Sequence, residues 1–247
     1  MADRDEFALD RAGYDYVVAL AGNPNTGKST VFNGFTGLRQ HTGNWPGKTV
    51  ARAEGTLRFN GKKYKIVDLP GTYSLLSAAV DEEIARDFIL FGMPDAVIVV
   101  VDATNVERNL NLVFQVLEIT ERAVICLNLM DDAERRGLVI DIPKLSEELG
   151  VPLVPCVART RRGLPELASA VEGICEGVTE THARRFHPNP VLEAALGKLV
   201  PEIESEYPGL PNARWIAMRL LDGDARIERA VETGELKRWS KPLERVR

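Results

Sequence analysis

The sequence predicts an α/β fold with a mostly parallel, doubly wound sheet, followed by a small all-helical domain. Short apolar, β-branched runs alternate with stretches of helical spacing as far as Cys175, as in folds built from strand–helix units. Beyond Pro190 the β-branched runs stop and only helical periodicity remains. The composition, 45% hydrophobic and 27% charged over 247 residues, is typical of a globular protein with room for such a domain and an appendage.

The strands are predicted from apolar runs bounded by turn residues. Asn60-Gly61 is a strong hairpin signal, so the runs on either side should be antiparallel neighbours. The unbroken run Asp95–Asp102 indicates a central strand that is covered on both faces. The expected strands are 16–21, 49–59, 63–69, 95–102, 123–128 and 151–155.

Helical spacing between these runs completes the expected order of elements. The helices of the first domain are predicted at 30–36, 81–91, 105–120, 142–149 and 164–175, and those of the appendage at 191–206, 213–221 and 225–232. The polar stretch that ends in His187-Pro-Asn-Pro190 reads as a linker. We therefore expect a loose lead-in over 1–14, a first domain over 15–176, a linker over 177–190 and a helical domain over 191–247.

Charge and cysteine content exclude several classes of protein. The formal net charge of −5 argues against a nucleic-acid partner. Three cysteines lie in or beside apolar segments without C-x-x-C spacing, which indicates buried, reduced thiols, and three scattered histidines give no metal pattern. The sequence shows no secretory signal and no apolar run near the ~20 residues of a membrane-spanning helix, so we expect the chain to be soluble.

A phosphate-binding loop follows the first predicted strand. The run from Gly22 to Ser29 fits G-x-x-x-x-G-K-[ST] between a strand and a helix, the context in which this pattern binds phosphates. Lys28 should reach the β- and γ-phosphates and Ser29 should ligate Mg²⁺. The predicted nucleotide contacts of this loop are Gly22, Asn23, Pro24, Asn25, Thr26, Gly27, Lys28, Ser29 and Thr30.

Two further patterns each follow a predicted strand. Asp68-Leu-Pro-Gly71 is D-x-x-G, in which the aspartate reaches Mg²⁺ and the Gly71 amide senses the γ-phosphate, although alone it is a common turn. Asn128-Leu-Met-Asp131 is N-x-x-D, whose aspartate can accept the N1–H and N2–H₂ donors of guanine, which adenine lacks. Met130 belongs to the same segment. In this order, the patterns predict a guanine-nucleotide enzyme with the fold of a P-loop GTPase.

Two features of the base site depart from the common pattern. Leu129 replaces the lysine that usually packs over the base, which favours looser binding and faster exchange. Cys156-Val-Ala-Arg159 occupies the place of the fifth GTPase motif, where a backbone amide near Val157 and Ala158 would contact the guanine oxygen. A plain strand-to-helix turn is the alternative.

The polar, glycine-rich segment 37–48 contains one conspicuous aromatic residue, Trp45, which either anchors an otherwise exposed loop or gates a site. Thr49 follows at the distance of a switch threonine that ligates Mg²⁺ when GTP is bound. The alternative is that Thr49 merely begins the next strand; we favour the switch role.

The glutamine that orients the attacking water in many GTPases is absent, because Thr72 and Tyr73 follow Gly71. Turnover is therefore either negligible or supported by another cation or by backbone groups. The carboxamide of Asn25 could hold a monovalent cation where an arginine finger would act, or it could simply stabilise the turn.

Taken together, five stretches resemble the cytosolic N-terminal part of the ferrous iron transport protein FeoB family, over residues 15 to 235. The N-W-P-G loop and the W-x-x-x-x-L-L-x-G-D stretch are the most specific of them. The stretches are Gly22–Ser29, Gly43–Gly47, Asp68–Ser74, Asn128–Asp131 and Arg214–Asp224.

The resemblance implies a GTPase domain joined to a helical domain likened to a guanine-nucleotide dissociation inhibitor, with a polytopic membrane domain following. It implies an activating K⁺ on Asn25, capped by carbonyls of Gly43 and Trp45, and makes the missing glutamine a family trait. It places the protein at the cytoplasmic face of the bacterial inner membrane. Self-association and small accessory proteins are further partners to test.

The expected function is slow, K⁺-activated GTP hydrolysis that regulates an Fe²⁺ transporter, with Lys28, Asn25, Thr49 and Gly71 in the catalytic roles and Mg²⁺ on Ser29, Thr49 and Asp68. One rival is a nucleotide-gated binding module with incidental hydrolysis. Another is a soluble ribosome-assembly GTPase, which would normally carry a basic appendage, whereas the segment from Val191 mixes both signs of charge.

Overall fold

The computed structural model describes residues 11–37, 40–45, 48–76, 79–185, 189–210 and 212–240. The chain divides into two compact units, residues 1–185 and 186–247. The first is an α/β unit and the second is helical, which is the order of classes that the sequence predicts. The mostly parallel sheet with its helices is a P-loop GTPase fold.

Seven strands form one sheet in the described part of the first unit. The order across the sheet is β2-β3-β4-β1-β5-β6-β7. The pairs β2–β3 and β3–β4 are antiparallel and the other four are parallel. The strands are β1 Tyr16–Gly22, β2 Gln40–Asn44, β3 Ala51–Phe59, β4 Lys62–Asp68, β5 Ala96–Asp102, β6 Ala123–Asn128 and β7 Leu153–Pro155.

The helices of the first unit connect these strands. Their bounds are α1 Lys28–Thr36, α2 Val80–Phe91, α3 Val106–Ile119, α4 Met130–Arg135, α5 Ile142–Leu149 and α6 Leu164–Glu176, with one turn of 3₁₀ helix at Ala158–Thr160. The short helix α4 and the 3₁₀ turn were not predicted, because neither is long enough to show periodicity.

The core explains why β5 and β6 are continuous apolar runs. Both strands are buried almost throughout, since helices cover both faces of a parallel sheet. One face packs against α1 and α6. The cysteines, Cys126, Cys156 and Cys175, are buried free thiols, as the sequence predicts.

The strand register places the polar ends of several strands at one edge of the sheet. Leu20 in β1 lies opposite Asp68 in β4, and Asp102 in β5 lies opposite Asn128 in β6. Because parallel strands end at the same edge, the phosphate loop, Asp68 and Asn128 converge there. This edge is where the predicted motifs fall.

The main departure from the predicted fold is β2. The segment was expected to be an exposed loop, but Gln40–Asn44 forms an edge strand antiparallel to β3. Its sequence, Gln-His-Thr-Gly-Asn, has neither β-branched enrichment nor apolar alternation, so pairing with β3 decides its conformation. Strand β3 begins at Ala51, two residues after Thr49, which removes the interpretation of Thr49 as a strand's first residue.

Two segments that were expected to be loose contact the first unit. The Arg11 guanidinium donates to Asp95 Oδ2 at 2.8 Å and the Tyr14 hydroxyl lies 2.9 Å from Thr56 Oγ1, whereas residues 1–10 of the predicted lead-in are outside the described residues. In the predicted linker, the His182 amide donates to the Gly150 carbonyl at 2.9 Å. The early part of that linker is therefore docked.

The second unit has four helices among its described residues: α7 Pro190–Glu206, α8 Ala213–Leu221, α9 Ala225–Glu232 and α10 Glu235–Trp239. Asp224 caps α9 through the Arg226 and Ile227 amides, and its carboxylate also accepts from the Arg219 guanidinium at 2.8 Å. Trp215 and Ile216 are buried in this unit. None of the described helices, in either unit, is both long and apolar enough to cross a bilayer.

Candidate functional site

The loop between β1 and α1 has the backbone of an anion-binding turn. Asn25 and Gly27 have φ values of 67° and 81°, so the chain alternates hand in a way that gathers backbone N–H groups on one side. Gly27 precedes α1 without a side-chain cap, which leaves the first amides of the helix for a ligand. The Thr26 hydroxyl donates to the Asn23 carbonyl at 2.9 Å and closes the turn.

Gly27 is required by space as well as by its backbone angle. A Cβ at this position would lie 2.4 Å from Asn128 Nδ2. The phosphate loop therefore lies directly against the end of β6, so the phosphate-loop motif and the N-x-x-D motif are in contact.

The predicted phosphate lysine and the predicted Mg²⁺ aspartate are in contact. The Lys28 ammonium donates to Asp68 Oδ1 and to the Leu69 carbonyl, the latter at 2.6 Å. Burial raises the pKa of the Asp68 carboxyl above its usual value, and the neighbouring Lys28 ammonium opposes that shift. A bound triphosphate with its metal would separate the two charges, since each then gains a partner of opposite sign.

The segment after Asp68 lies against the phosphate loop. The Thr72 amide donates to the Gly22 carbonyl at 3.3 Å, and a Cβ at Gly71 would lie 3.6 Å from Pro24 Cα. Thr72, at the position of the missing glutamine, is buried, and its hydroxyl donates to the Ser74 carbonyl at 2.6 Å. Its side chain is therefore committed to the turn.

The Asn128 side chain joins the phosphate loop to the fifth motif. Its Nδ2 donates to the Thr26 carbonyl at 3.0 Å, and its Oδ1 accepts the Ala158 amide at 3.0 Å. The residue is 1% exposed. Asn128 thus acts as an internal clamp whose two hydrogen bonds are both buried, and the sequence pattern alone did not assign it this role.

The clamp changes the assignment of the fifth motif. A backbone amide near Val157 and Ala158 was expected to contact the guanine oxygen, but the Ala158 amide already donates to Asn128. The Val157 amide donates to the Arg162 carbonyl and the Met130 amide to the Cys156 carbonyl, at 2.9 and 3.2 Å. The next amide, that of Arg159, makes no hydrogen bond within the described residues. Arg159 is therefore the better candidate for a contact with the base.

Arg159 also contacts the predicted guanine carboxylate. Its Nη2 donates to Asp131 Oδ2 at 2.7 Å, from the 3₁₀ turn to the first turn of α4. Sequence reasoning missed this pair because its members are 28 residues apart. The sequence offered two separate signals. Arg159 is a basic residue at the end of the fifth motif, and Leu129 replaces the usual lysine of N-x-x-D.

Trp45 is anchored in the structure. It is 2% exposed, its ring meets Phe88 of α2 edge-on at 5.4 Å between centroids, and the Arg52 guanidinium lies 4.8 Å from its centroid. Of the two interpretations that the sequence allowed, anchoring describes this state. Its carbonyl accepts the Lys48 amide at 3.0 Å.

Several predicted contacts remain unassembled in this state. Asn25, Ser29, Thr30 and Thr49 are exposed, and among the described residues the side chains of Asn25 and Thr49 make no hydrogen bond. Gly43 lies in β2 opposite Arg52, and no described hydrogen bond connects it with Asn25. The side-chain carboxamide of Asn23 is buried, and neither its nitrogen nor its oxygen has a hydrogen-bond partner in the described part of the chain. Pro46 and Gly47 of the N-W-P-G loop are outside the described residues.

Comparison with known proteins finds matches to both units. A family model described as "Ferrous iron transport protein B" matches residues 16–171, and one described as "FeoB cytosolic helical domain" matches residues 189–247. A Porphyromonas gingivalis Fe(2+) transport protein A/FeoB fusion protein is 41% identical over 231 residues, or 92% of this chain. The chain spans 27% of the length of that relative.

Solved structures show the same similarity. The cytosolic domain of the T. maritima FeoB iron transporter, in its apo form, has a TM-score of 0.80 and 34% identity, covering 92% of this chain and 87% of that one. The same domain in a GMPPNP form also has a TM-score of 0.80 and 34% identity, with 92% and 87% covered. Both extend over most of the two units.

Proposed function

The chain belongs to the FeoB family, the ferrous iron transport protein B, and on that premise we propose that it binds guanine nucleotides and hydrolyses GTP. The observation that carries the proposal is the Asn128 clamp. It holds the phosphate loop and the fifth-motif segment Cys156–Arg159, here called the base loop, together as one site. The GMPPNP form of the T. maritima domain supports it, since that ligand is a guanine triphosphate analogue.

Guanine selectivity falls to Asp131 and the base loop. An ionised carboxylate only accepts hydrogen bonds, so it pairs with the N1–H and N2–H₂ edge of guanine and not with the same edge of adenine. The Arg159 amide, which has no hydrogen-bond partner in the described part of the chain, would supply the donor for the guanine oxygen. The phosphate contacts are those of the loop from Gly22 to Thr30.

Hydrolysis would rely on charge stabilisation, because Thr72 and Tyr73 stand where many GTPases have the glutamine that orients the attacking water. Lys28 binds the β- and γ-phosphate oxygens and the loop amides orient them. The Gly71 amide donates to the γ-phosphate. The Thr72 hydroxyl donates its proton to the Ser74 carbonyl, so it has none to donate to a water. These features favour slow turnover.

The oxygen ligands of the site fit Mg²⁺. The Ser29 hydroxyl, the Asp68 carboxylate and the Thr49 hydroxyl are hard donors of the kind this ion takes. Mg²⁺ supplies neutralisation of phosphate charge. Lys28 would leave Asp68 when nucleotide binds, because each charge then gains a partner of opposite sign.

A K⁺ site at Asn25 is the more specific part of the proposal. The exposed Asn25 carboxamide at a φ of 67° projects from the loop without a protein partner among the described residues, which leaves its oxygen for a cation. Carbonyls of Gly43 and Trp45 would complete the site. The Trp45 carbonyl accepts the Lys48 amide with one lone pair, which leaves its second lone pair for a cation.

In the longer protein, this module would regulate passage of Fe²⁺ through a membrane domain of the same polypeptide. The chain would lie at the cytoplasmic face of the bacterial inner membrane, with a nucleotide-binding domain over 15–176, a linker over 177–190 and a helical domain over 191–247. Self-association and small accessory proteins are candidate interactions, and no nucleic-acid partner is proposed.

A steady-state phosphate-release assay with Mg²⁺, in K⁺ and in Na⁺ at equal ionic strength, tests the proposal, with ATP as the competing substrate. We expect slow GTP turnover that is faster in K⁺, none with ATP, and loss of GTP binding in Lys28→Ala. Tight binding of GTP and GDP without turnover in K⁺ would instead favour a nucleotide-gated binding module. Failure to bind either nucleotide in calorimetry would refute the proposal.

A further inference from the structure

The base site contains an ion pair that a bound guanine must meet. Arg159 Nη2 holds Asp131 Oδ2 at 2.7 Å. The Arg159 side chain is 73% exposed and that of Asp131 25% exposed. The pair therefore lies at the mouth of the site, with the carboxylate on the inner side and the guanidinium in solvent.

The Watson–Crick edge of guanine presents two donors to a carboxylate, N1–H and N2–H₂, and pairing with both needs both oxygens of Asp131. Hypoxanthine lacks the exocyclic amino group, so it offers only N1–H and needs one oxygen. A guanidinium that donates to Oδ2 takes one of that oxygen's lone pairs and weakens it as an acceptor, so it hinders guanine more than hypoxanthine, which can pair through Oδ1 alone. The two bases are otherwise the same size and share the carbonyl that faces the loop.

A second pair provides an internal comparison. Arg162 Nη2 donates to Glu134 Oε1 at 2.8 Å, and its members are also 28 residues apart. It joins the same two parts of the fold, the fifth-motif loop and α4. Glu134 lies outside the N-x-x-D motif, and its side chain is 55% exposed. Arg162 therefore has the surroundings of Arg159 without contact to the guanine carboxylate.

We infer that Arg159 lowers the affinity of this chain for guanine nucleotides by competing with the guanine edge for Asp131. It also lowers the preference for guanine over hypoxanthine. This rests on the proposed function, because it takes Asp131 as the guanine carboxylate. Arg159 thereby weakens the binding of guanine nucleotides. An exposed ion pair contributes modestly, so the weakening amounts to about a two- to fivefold difference in affinity.

The test measures dissociation constants of GDP and inosine diphosphate by calorimetry for the parent chain, Arg159→Gln, Arg159→Ala and Arg162→Ala. We expect both Arg159 variants to bind GDP about two- to fivefold more tightly, with inosine diphosphate changed less. Arg162→Ala should bind both ligands as the parent does. A change in folding would alter the affinities for both ligands together. The ratio of the two dissociation constants therefore isolates the effect at the guanine N2 amino group.

Weaker binding of GDP by the Arg159 variants, or equal changes for the two ligands, would overturn the inference while leaving GDP binding by the parent intact. An equal gain in Arg162→Ala would overturn it as well, since the effect would then be a general one of surface charge. If the parent chain binds no GDP, the proposed function fails and the inference fails with it.

Discussion

The site has a base end, made of Asn128–Asp131 and the base loop, and a phosphate end, made of the loop Gly22–Ser29, Asp68 and residues 40–49. The two ends differ in how far they are assembled without a ligand. At the base end, Asn128 is buried and both of its side-chain hydrogen-bonding groups are paired with main-chain groups. At the phosphate end, Asn25, Ser29 and Thr49 are exposed, and Lys28 is bound to Asp68 instead of to a phosphate.

This difference indicates which part of the site recognises and which part responds. A paired, buried group is held in place before the ligand arrives, so the base loop needs little rearrangement. Exposed groups without partners can reorganise at low cost when a phosphate is bound or lost. We therefore expect substitutions at the base end to affect affinity and folding together, and those at the phosphate end to affect turnover with little effect on folding.

The largest effect is expected for Asn128→Ala. The change leaves the Thr26 carbonyl and the Ala158 amide without partners in a buried place, at about 1–3 kcal/mol each. These costs act on the folded chain with or without nucleotide, so most of the loss is in stability; GDP affinity should fall by about tenfold, because the two loops must then be ordered on binding. The melting temperature should fall too, and calorimetry with thermal unfolding measures both.

Asn128→Asp is the matched variant for that test. The carboxylate keeps the shape of the side chain and can still accept from Ala158, but it cannot donate to the Thr26 carbonyl. Its loss of stability should be at least that of Asn128→Ala, because a buried carboxylate facing the Thr26 carbonyl is an unpaired charge. A parent-like melting temperature in both variants would break the comparison, since the base end would then not be preassembled.

Next in size is Asn25→Ala at the phosphate end. If the carboxamide holds the activating cation, K⁺ should no longer accelerate GTP hydrolysis over Na⁺, at a cost of about 10²-fold in rate, the scale of removing one charge-stabilising group. Stability should fall by about 1 kcal/mol at most, the cost of alanine at a φ of 67°, and GDP affinity should be nearly unchanged because the side chain is exposed. The same acceleration by K⁺ in variant and parent would contradict the cation role.

Asp131→Ala should have a smaller effect in free energy, and this effect falls on binding. Loss of hydrogen bonds to a charged acceptor costs about 2 kcal/mol, or about 30-fold in GTP affinity, and removes the preference for GTP over ATP. Asp131→Asn sharpens the test, because the amide can donate to the C2 carbonyl of xanthine and should shift preference towards XTP. Retained discrimination against ATP in Asp131→Ala would remove this residue from base recognition.

The smallest effect is expected for the global stability of Trp45→Ala. Truncating a tryptophan in a rigid core costs about 3–5 kcal/mol. Because β2 is an edge strand that pairs with β3 alone among the described strands, residues 40–45 can detach without unfolding the rest of the sheet. Urea unfolding should therefore show a loss of less than about 1 kcal/mol, with faster proteolysis near this segment. Trp45→Phe should restore protection by keeping an aromatic ring against Phe88. A loss of the full core value would show that the phosphate end is as integrated as the base end.

Much of this architecture could be predicted from local signals in the sequence. The runs that became β1, β5 and β6 are continuously apolar, and Asn60-Gly61 marks the hairpin between β3 and β4, with Asn60 at a φ of 46°. The phosphate-loop pattern also carries its own geometry, because Gly27 allows the left-handed turn that the loop needs. These features depend on neighbours within a few residues.

The tertiary structure decided what depends on distant neighbours. Strand β2 exists because β3 offers it a partner, Trp45 is buried because Phe88 and Arg52 lie beside it, and Asn128 reaches Thr26 across 102 residues of sequence. The pair of Arg159 with Asp131 is of the same kind. A sequence pattern reports the chemistry and the local backbone of a residue, whereas the partner of a side chain is fixed only when packing brings remote segments together.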